Sequence, residues 1–388
     1  MPTIFFIGLL CFGVPAMARL ARGEYLNPFT IQIVHTIQRC VRRAFLCGND
    51  PVSGRDLEHR RQWIRDRLEF LASVFAIDCL TYTVMSNHLH LILRSRPDIV
   101  RSWSDEQVAI RWLRLFPSRR DVLGNPVQPT QEELNQVILD PSRVAEIRKR
   151  LSDISWWMRC TSENIARRAN REDEVTGHFW EGRYKAQLLL DEAAILACAM
   201  YVDLNPIRAA IAECPENSKY TGAYDRIQDL KSNSSRQKAK PVNHDSVPIS
   251  QARNSKRWER SRRRVHCGWL SPLEIDESND PIGADVSDCG RRASLKGFLS
   301  LSLNRYLELL DWTGRQLVSG KRGKIPERLQ PILQRLGIDT QQWNQLVNRF
   351  GKLFKRVVGT PQAIHQEATR RGQGYFQAPG ATLLAAAD

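Results

Sequence analysis

Residues 79–94, CLTYTVMSNHLHLILR, decide the fold expected for this chain. Apolar and polar residues alternate along them, which predicts a long, half-buried β-strand with a break near Ser86-Asn87. Residues two apart in a strand share a face, so His88 and His90 point the same way and the leucines around them point the other way. We therefore expect the leucines to pack on helices and the two imidazoles to stand on the open face of a sheet.

The flanking sequence supplies the other elements. A β-branched run at 29–37 and an alternating run at 177–190 predict two more strands. Helical spacing of apolar residues predicts an amphipathic helix at 56–76 and a long basic helix at 141–169, and an aspartate at the N-cap position predicts a helix at 191–204. Elements in this order predict an α+β fold, with an antiparallel sheet and helices on one face.

Composition divides the chain into four parts. Residues 1–16 are apolar, lack the Lys or Arg of a secretory signal and are too short to span a bilayer. We interpret them as a start assigned upstream of the real one at Met17, or as a disordered segment. We expect the main folded domain over 17–220, a basic flexible linker over 221–265, and a mainly helical basic accessory region over 266–388.

The chain carries a formal net charge of +15. Such a balance favours a nucleic-acid partner, and leaves open an anionic membrane surface, a ribosomal role or simple solvation. No later segment is long and apolar enough to span a membrane, and we expect no membrane partner. Nine cysteines without a C-x-x-C pair favour reduced thiols in a reducing compartment. We expect a cytoplasmic, nucleoid-associated protein.

Two groups of basic residues are candidate DNA contacts. Four lie on the predicted long helix and two on the strand at 177–190, where alternation gives them one face. Charge that only solvates a helix or an edge strand is the alternative. Phe179 and Trp180 beside them either stack on unpaired bases or pack in the core. The candidates are Arg148, Lys149, Arg167, Arg168, Arg183 and Lys185.

Two constellations carry chemistry. His88 and His90 form a pair suited to a divalent metal, and two solvated histidines on a sheet are the alternative. Tyr201 and Asn205 are one helical turn apart, so a tyrosine nucleophile and an amide ligand would share a face. Alternatively, Tyr201 is a half-buried core residue, and Asn205 ends one helix before Pro206 begins the next.

Four blocks, in order, resemble a known family. They are RCVRRAFLCG (39–48), VMSNHLHLIL (84–93), GHFWEGRYKAQ (177–187) and YVDLNPIRAAI (201–211). Together they are similar to the insertion-sequence-200-like transposases, and most closely to the REP-associated tyrosine transposases. The resemblance covers about 17–212. The insert at 97–141 is longer than in the smallest members, and residues after about 220 match nothing in the family.

The resemblance implies a ferredoxin-like HUH endonuclease domain. His88 and His90 would bind Mg²⁺ or Mn²⁺, Asn205 would complete the metal site, and Tyr201 would be the nucleophile. The implied partner is single-stranded DNA with hairpins, no ATP is needed, and a homodimer is one expected assembly. The implied reaction is DNA transposition through a 5′-phosphotyrosine. The alternatives are a non-catalytic DNA-binding protein, an RNA-binding module, and a metal hydrolase that uses water.

Overall fold

A computed structural model of the chain describes residues 26–41, 45–50, 53–122, 126–238, 268–276, 283–317, 339–374 and 376–384. Within these ranges it contains five strands and twelve helices. The strands are β1 (Ile33–Arg39), β2 (Ile77–Val84), β3 (His88–Ser95), β4 (Lys185–Leu189) and β5 (Val357–Val358). The helices are α1 (His59–Val74), α2 (Pro97–Ser102), α3 (Asp105–Leu115), α4 (Gln131–Ile138), α5 (Pro141–Leu151), α6 (Ile154–Glu172), α7 (Glu192–Asp203), α8 (Asn205–Arg208), α9 (Gly222–Lys238), α10 (Leu303–Leu317), α11 (Thr340–Leu353) and α12 (Pro361–Arg370).

The five strands form one sheet in the order β2-β3-β1-β4-β5. The first four pair antiparallel, and β5 pairs parallel to β4. The predicted break in 79–94 is confirmed, because β2 and β3 turn back on each other around Ser86-Asn87. In the register, Ile37 of β1 lies opposite both His90 and Lys185. The histidines therefore sit on the strand beside the centre of the sheet, with His90 in one row with Lys185 of β4 and His88 opposite Arg39.

Helices cover both faces of this sheet, so the expectation of helices on one face was wrong. On one side, the leucines of β3 pack with α1 and α6. On the other side, Ile92 of β3 packs with α7, α10 and α11. The reason lies in α7, where ten of twelve residues are buried. A helix that is apolar all round needs protein on two sides, and the sheet supplies one side while α10 and α11 supply the other.

The C-terminal region shares this core. Val357 and Val358 extend the sheet beside β4, and Trp343 and Phe350 of α11 are fully buried against α7. The predicted accessory region is thus packed on the main domain. The predicted linker begins with α9, whose Arg226 is buried and donates to the Leu80 and Ser271 carbonyls, so that part is ordered helix. The rest of the linker, 239–265, and residues 1–16 lie outside the described residues.

Two local predictions need correction. The predicted helix at 141–169 is two helices, because the Asp153 carboxylate accepts from Ser155 N (2.7 Å) and caps a new helix there. The strand at 177–190 shortens to β4, because Phe179 is buried in the core and Trp180 Nε1 donates to the Ser162 carbonyl (2.8 Å). The predicted cap of α7 is confirmed, since Asp191 accepts from Ala194 N (2.8 Å). None of the helices in the described ranges is long and apolar enough to cross a membrane.

Candidate functional site

His88 and His90 share one face of β3, as the alternation predicts. Their ring centroids are 4.8 Å apart with the planes nearly perpendicular. The face is not open, however. His90 is only 2% exposed and His88 is half-buried, because α7 and α11 pack over this side of the sheet. The pair is therefore a recessed site rather than a solvated one.

Burial keeps both imidazoles neutral. It lowers the pKa of His88 to about 4, with the Arg39 guanidinium adding to the shift. It lowers the pKa of His90 well below the usual value, and the neighbouring histidines His35 and His88 lower it further. Neutral imidazoles keep a lone pair for a metal or a proton donor. His90 Nε2 is buried without a hydrogen-bond partner, so its lone pair or proton is unused.

A third histidine, His35, joins this pair. Its Nε2 lies 2.9 Å from His90 Nδ1, and its Nδ1 lies 2.7 Å from Gln187 Oε1. Gln187 Nε2 in turn donates to the Phe354 carbonyl (2.8 Å). Sequence reasoning missed both His35 and Gln187. The alternation of side chains in the predicted strands could have found them. It places both polar side chains on the face that the apolar residues bury, where a polar residue is unusual.

Tyr201 lies against the histidines near the end of α7. Its ring centroid is 5.5 Å from that of His90 and 6.0 Å from that of His35. Phe350 of α11 stacks on the ring at 5.3 Å, and a Cβ at Gly351 would meet the tyrosine hydroxyl at 3.3 Å. Helix α11 therefore covers the tyrosine closely, and glycine at 351 leaves room for the hydroxyl.

Burial also governs the Tyr201 hydroxyl. Burial raises the pKa of Tyr201. The Arg208 guanidinium lowers this pKa most, and the Asn205 side chain lowers it less. The phenol is therefore protonated at neutral pH and needs help to become a nucleophile.

Asn205 follows the tyrosine by four residues at the start of α8. Leu204 between the two helices keeps helical dihedrals, so the one-turn spacing survives the helix boundary that Pro206 marks. The predicted boundary and the predicted juxtaposition are thus both present. Asn205 is 9% exposed, and its Nδ2 is buried without a partner of standard hydrogen-bond geometry.

Arg208, the last residue of α8, is a member of the site that sequence reasoning missed. Its guanidinium carbon lies 5.1 Å from the centroid of the Tyr201 ring. Nη2 donates to the Val347 carbonyl of α11, while Nε is buried without an acceptor. Burial lowers its pKa to about 10, and no carboxylate of the described ranges opposes that shift. The side chain is half-buried, and partial desolvation of a cation without an anionic partner is costly.

The predicted DNA-contacting residues fall into two groups. Lys185 is exposed and lies in the row of His90, and Arg183 is exposed just before β4. The other four lie on α5 and α6, which pack on the opposite face of the sheet. Arg148 donates to Asp105 (2.7 Å) and to the Val100 carbonyl, Arg167 pairs with Glu163, Lys149 lies over the Phe29 ring, and Arg168 lies over the Trp63 ring.

Of the two roles left open for Phe179, base stacking and core packing, the structure shows core packing. It is 6% exposed and packs in the core with the leucines of β3. In the described ranges, no group of three or more His, Cys, Asp or Glu side chains is placed to hold a metal. A metal at the histidine pair would therefore need a neutral oxygen ligand, as an asparagine supplies.

Comparisons with known proteins give little. No family model matches the chain, and no curated protein matches it. A search of solved structures finds one described as a REP-associated tyrosine transposase bound to a REP hairpin. The identity is 8%, the match covers 57% of this chain and 89% of that one, and the TM-score is 0.29. The likeness is weak, and the function proposed next rests on the residues of the site.

Proposed function

We propose that the chain is a tyrosine transposase of the REP-associated type, which cuts and rejoins single-stranded, hairpin-containing DNA. The observation that carries the proposal is the packing of Tyr201 against His90, 5.5 Å between ring centroids, beside an imidazole nitrogen that is buried and unpartnered. The same surroundings contain Arg208, which is half-buried, keeps Nε buried without an acceptor, and has no carboxylate among the described residues acting on its pKa. A phosphodiester suits such a pocket, because it brings its own negative charge.

The fold supports the same proposal. Strands β1 to β4, with α1 and α6 between them, follow the order β-α-β-β-α-β. Their sheet order β2-β3-β1-β4, with antiparallel neighbours, is the arrangement expected of a ferredoxin-like HUH domain. Helix α7 then brings the tyrosine onto the histidine face.

His88, His90 and Asn205 would hold Mg²⁺ or Mn²⁺. The residues fit this group, because both imidazoles are neutral and His90 Nε2 has no protein partner. Their ring centroids are 4.8 Å apart on one face of β3, so the two imidazoles are close enough to serve one ligand. When bound, the metal would withdraw charge from the scissile phosphate.

The chain's own residues would do the rest. Tyr201 Oη would give up its proton and attack the phosphorus. The bond from phosphorus to the 3′ oxygen would break, and that oxygen would take up a proton, which leaves a 5′-phosphotyrosine and a free 3′-OH. The phosphotyrosine conserves the bond energy, so rejoining needs no ATP. We assign Arg208 the role of contacting the phosphate, since its Nε has no protein acceptor and its guanidinium lies over the nucleophile's ring. Lys185 and Arg183 would follow the DNA backbone at the exposed end of β4.

The test is a covalent adduct. The full chain is incubated with Mn²⁺ or Mg²⁺ and labelled single-stranded hairpin DNA taken from the flanks of its own gene. We expect a protein–DNA adduct that survives denaturation, and that is absent from Tyr201→Phe and His88→Ala. Tyr224→Phe and His365→Ala are matched controls, because they remove a tyrosine and a histidine outside the site and should leave the adduct intact.

One observation favours a second candidate, a DNA-binding protein without catalysis. Phe350 and Gly351 of α11 lie directly against Tyr201, so access to the hydroxyl is narrow. In that case hairpin DNA binds tightly, Tyr201→Phe binds it equally well, and the wild type forms no adduct with either metal. DNA cleavage without an adduct would instead indicate a hydrolase that uses water, and preference for an RNA hairpin would indicate an RNA-binding module.

A further inference from the structure

We propose that His35 and Gln187 are positioning residues that fix the proton of His90 on Nδ1 and leave the Nε2 lone pair facing the site. The chain of contacts begins at the Phe354 carbonyl, just after α11, and ends at His90 on β3, the strand beside the centre of the sheet. The inference rests on the proposed function in one respect, namely that the lone pair serves a divalent metal. The arrangement of protons itself rests on the contacts alone.

The donors and acceptors follow from the anchored end. A carbonyl oxygen only accepts, so the 2.8 Å contact to Phe354 O requires the Gln187 amide nitrogen and fixes the orientation of the amide. Gln187 Oε1 therefore faces His35 Nδ1 at 2.7 Å, and since that oxygen only accepts, Nδ1 must carry the proton. His35 is fully buried and its ring nitrogens contact a neutral amide and another imidazole, surroundings in which a charged ring would be costly, so its Nε2 holds a lone pair.

The last link sets His90. His35 Nε2 accepts, so the 2.9 Å contact requires a proton on His90 Nδ1. The opposite tautomer would place two lone pairs against each other at that distance. Neutral His90 then has its free lone pair on Nε2, the atom that is buried without a partner. Each link from the Phe354 carbonyl to His90 Nδ1 is a hydrogen bond with one donor and one acceptor. His90 Nε2 is then the one acceptor of this chain of contacts that remains to bind a ligand.

The anchor ties the metal ligand to the C-terminal region. Phe354 is the C-cap of α11, whose Phe350 stacks on Tyr201 and whose Val347 carbonyl accepts from Arg208. One helix end thus positions the histidine, the tyrosine and the arginine. Residues beyond the part of the chain that resembles the transposase family therefore orient the proposed metal site.

The experiment uses the metal-free full chain first. Imidazole ¹⁵N shifts are assigned by comparison with His90→Ala, and we expect His90 protonated on Nδ1 and His35 also protonated on Nδ1. Protonation of His90 on Nε2 would overturn the proposal. This measurement needs neither metal nor DNA, so its result stands even if the wild type forms no adduct and the proposed function fails.

The second measurement is Mn²⁺ affinity, by calorimetry without DNA. We expect binding at least about tenfold weaker in His35→Phe and in Gln187→Leu, the effect typical of losing a group that orients a metal-bound histidine. Gln38→Leu is the control, since it removes a buried glutamine of β1 whose Nε2 donates to the Gly182 carbonyl, away from the histidines. Unchanged affinity in both folded variants would overturn the positioning role. If a variant fails to fold, the tautomer of the wild type decides.

Discussion

The two ends of β3 each hold a buried cluster of polar groups, and the clusters differ in completeness. At one end, Arg94 bonds Asp78 (2.9 Å through Nε), two backbone carbonyls and Ser271, so its guanidinium is paired throughout. At the other end, His90 and Arg208 each keep a buried nitrogen without a partner. The first cluster ties chain segments together, whereas the second has bonding capacity left for a ligand.

The paired end should be the more fragile. Asp78→Ala leaves Arg94 and Arg96 without their shared carboxylate, and breaking a buried pair in this way costs about 3–5 kcal/mol. We expect a loss of that size in the free energy of urea unfolding. Asp105→Ala is the control, because its ion pair with Arg148 is exposed and worth about 0–1 kcal/mol. Similar losses in both variants would remove the distinction between the two ends.

At the end of β3 that holds His90 and Arg208, removing a charged side chain should not lower the free energy of unfolding. Arg208→Met removes a half-buried cation on whose pKa no carboxylate of the described ranges acts, so the free energy of unfolding should stay unchanged or rise. Adduct formation should fall by about 10²–10³, the effect of losing one donor to a reacting oxyanion. The two quantities are measured on one preparation. A loss of stability with normal adduct formation would make Arg208 a structural residue like Arg94.

The histidines add a dependence on pH. Burial holds the pKa of His35 at about 4, below its unfolded value of about 6.5, so the unfolded chain binds more protons between these limits. Stability from this group is complete above about pH 6.5 and is lost as the pH falls towards 4. With chelator present, His35→Phe should show a fall smaller by on the order of 2–3 kcal/mol over this window. Parallel profiles for the two proteins would contradict the buried, neutral state.

The smallest effect should come from the cover over the tyrosine. Gly351→Ala brings a methyl group to 3.3 Å from the Tyr201 hydroxyl, while the helix itself gains up to about 1 kcal/mol. We expect adduct formation a few-fold slower with stability unchanged or higher. Gly314→Ala in α10 is the control, because its methyl group would meet only carbons of Leu204 and Ile207. Equal rates in both variants would show that the hydroxyl has room to spare.

The sequence predicts those features that depend on neighbouring residues. Alternation places His88 and His90 together, and the cap at Asp191 marks the start of α7. The contact between His35 and Gln187 spans 152 positions, and no local pattern encodes such a pairing. Cover on the second face of the sheet follows from α7 being apolar all round, a feature visible in the sequence but not used in the prediction.

The parallel pairing of β5 has a consequence for biosynthesis. Arg356 and Val358 accept hydrogen bonds from Leu188 and Leu190, and so seal the outer edge of β4. Until residues 356–358 have been synthesised and have docked, that edge is open to pairing with other nascent chains. The Phe354 carbonyl, which accepts from Gln187 and so anchors the contacts of His35 and His90, is also absent at that stage. A nascent chain that lacks residues 354–358 therefore also lacks the finished site, and docking of this segment closes the sheet and assembles the site together.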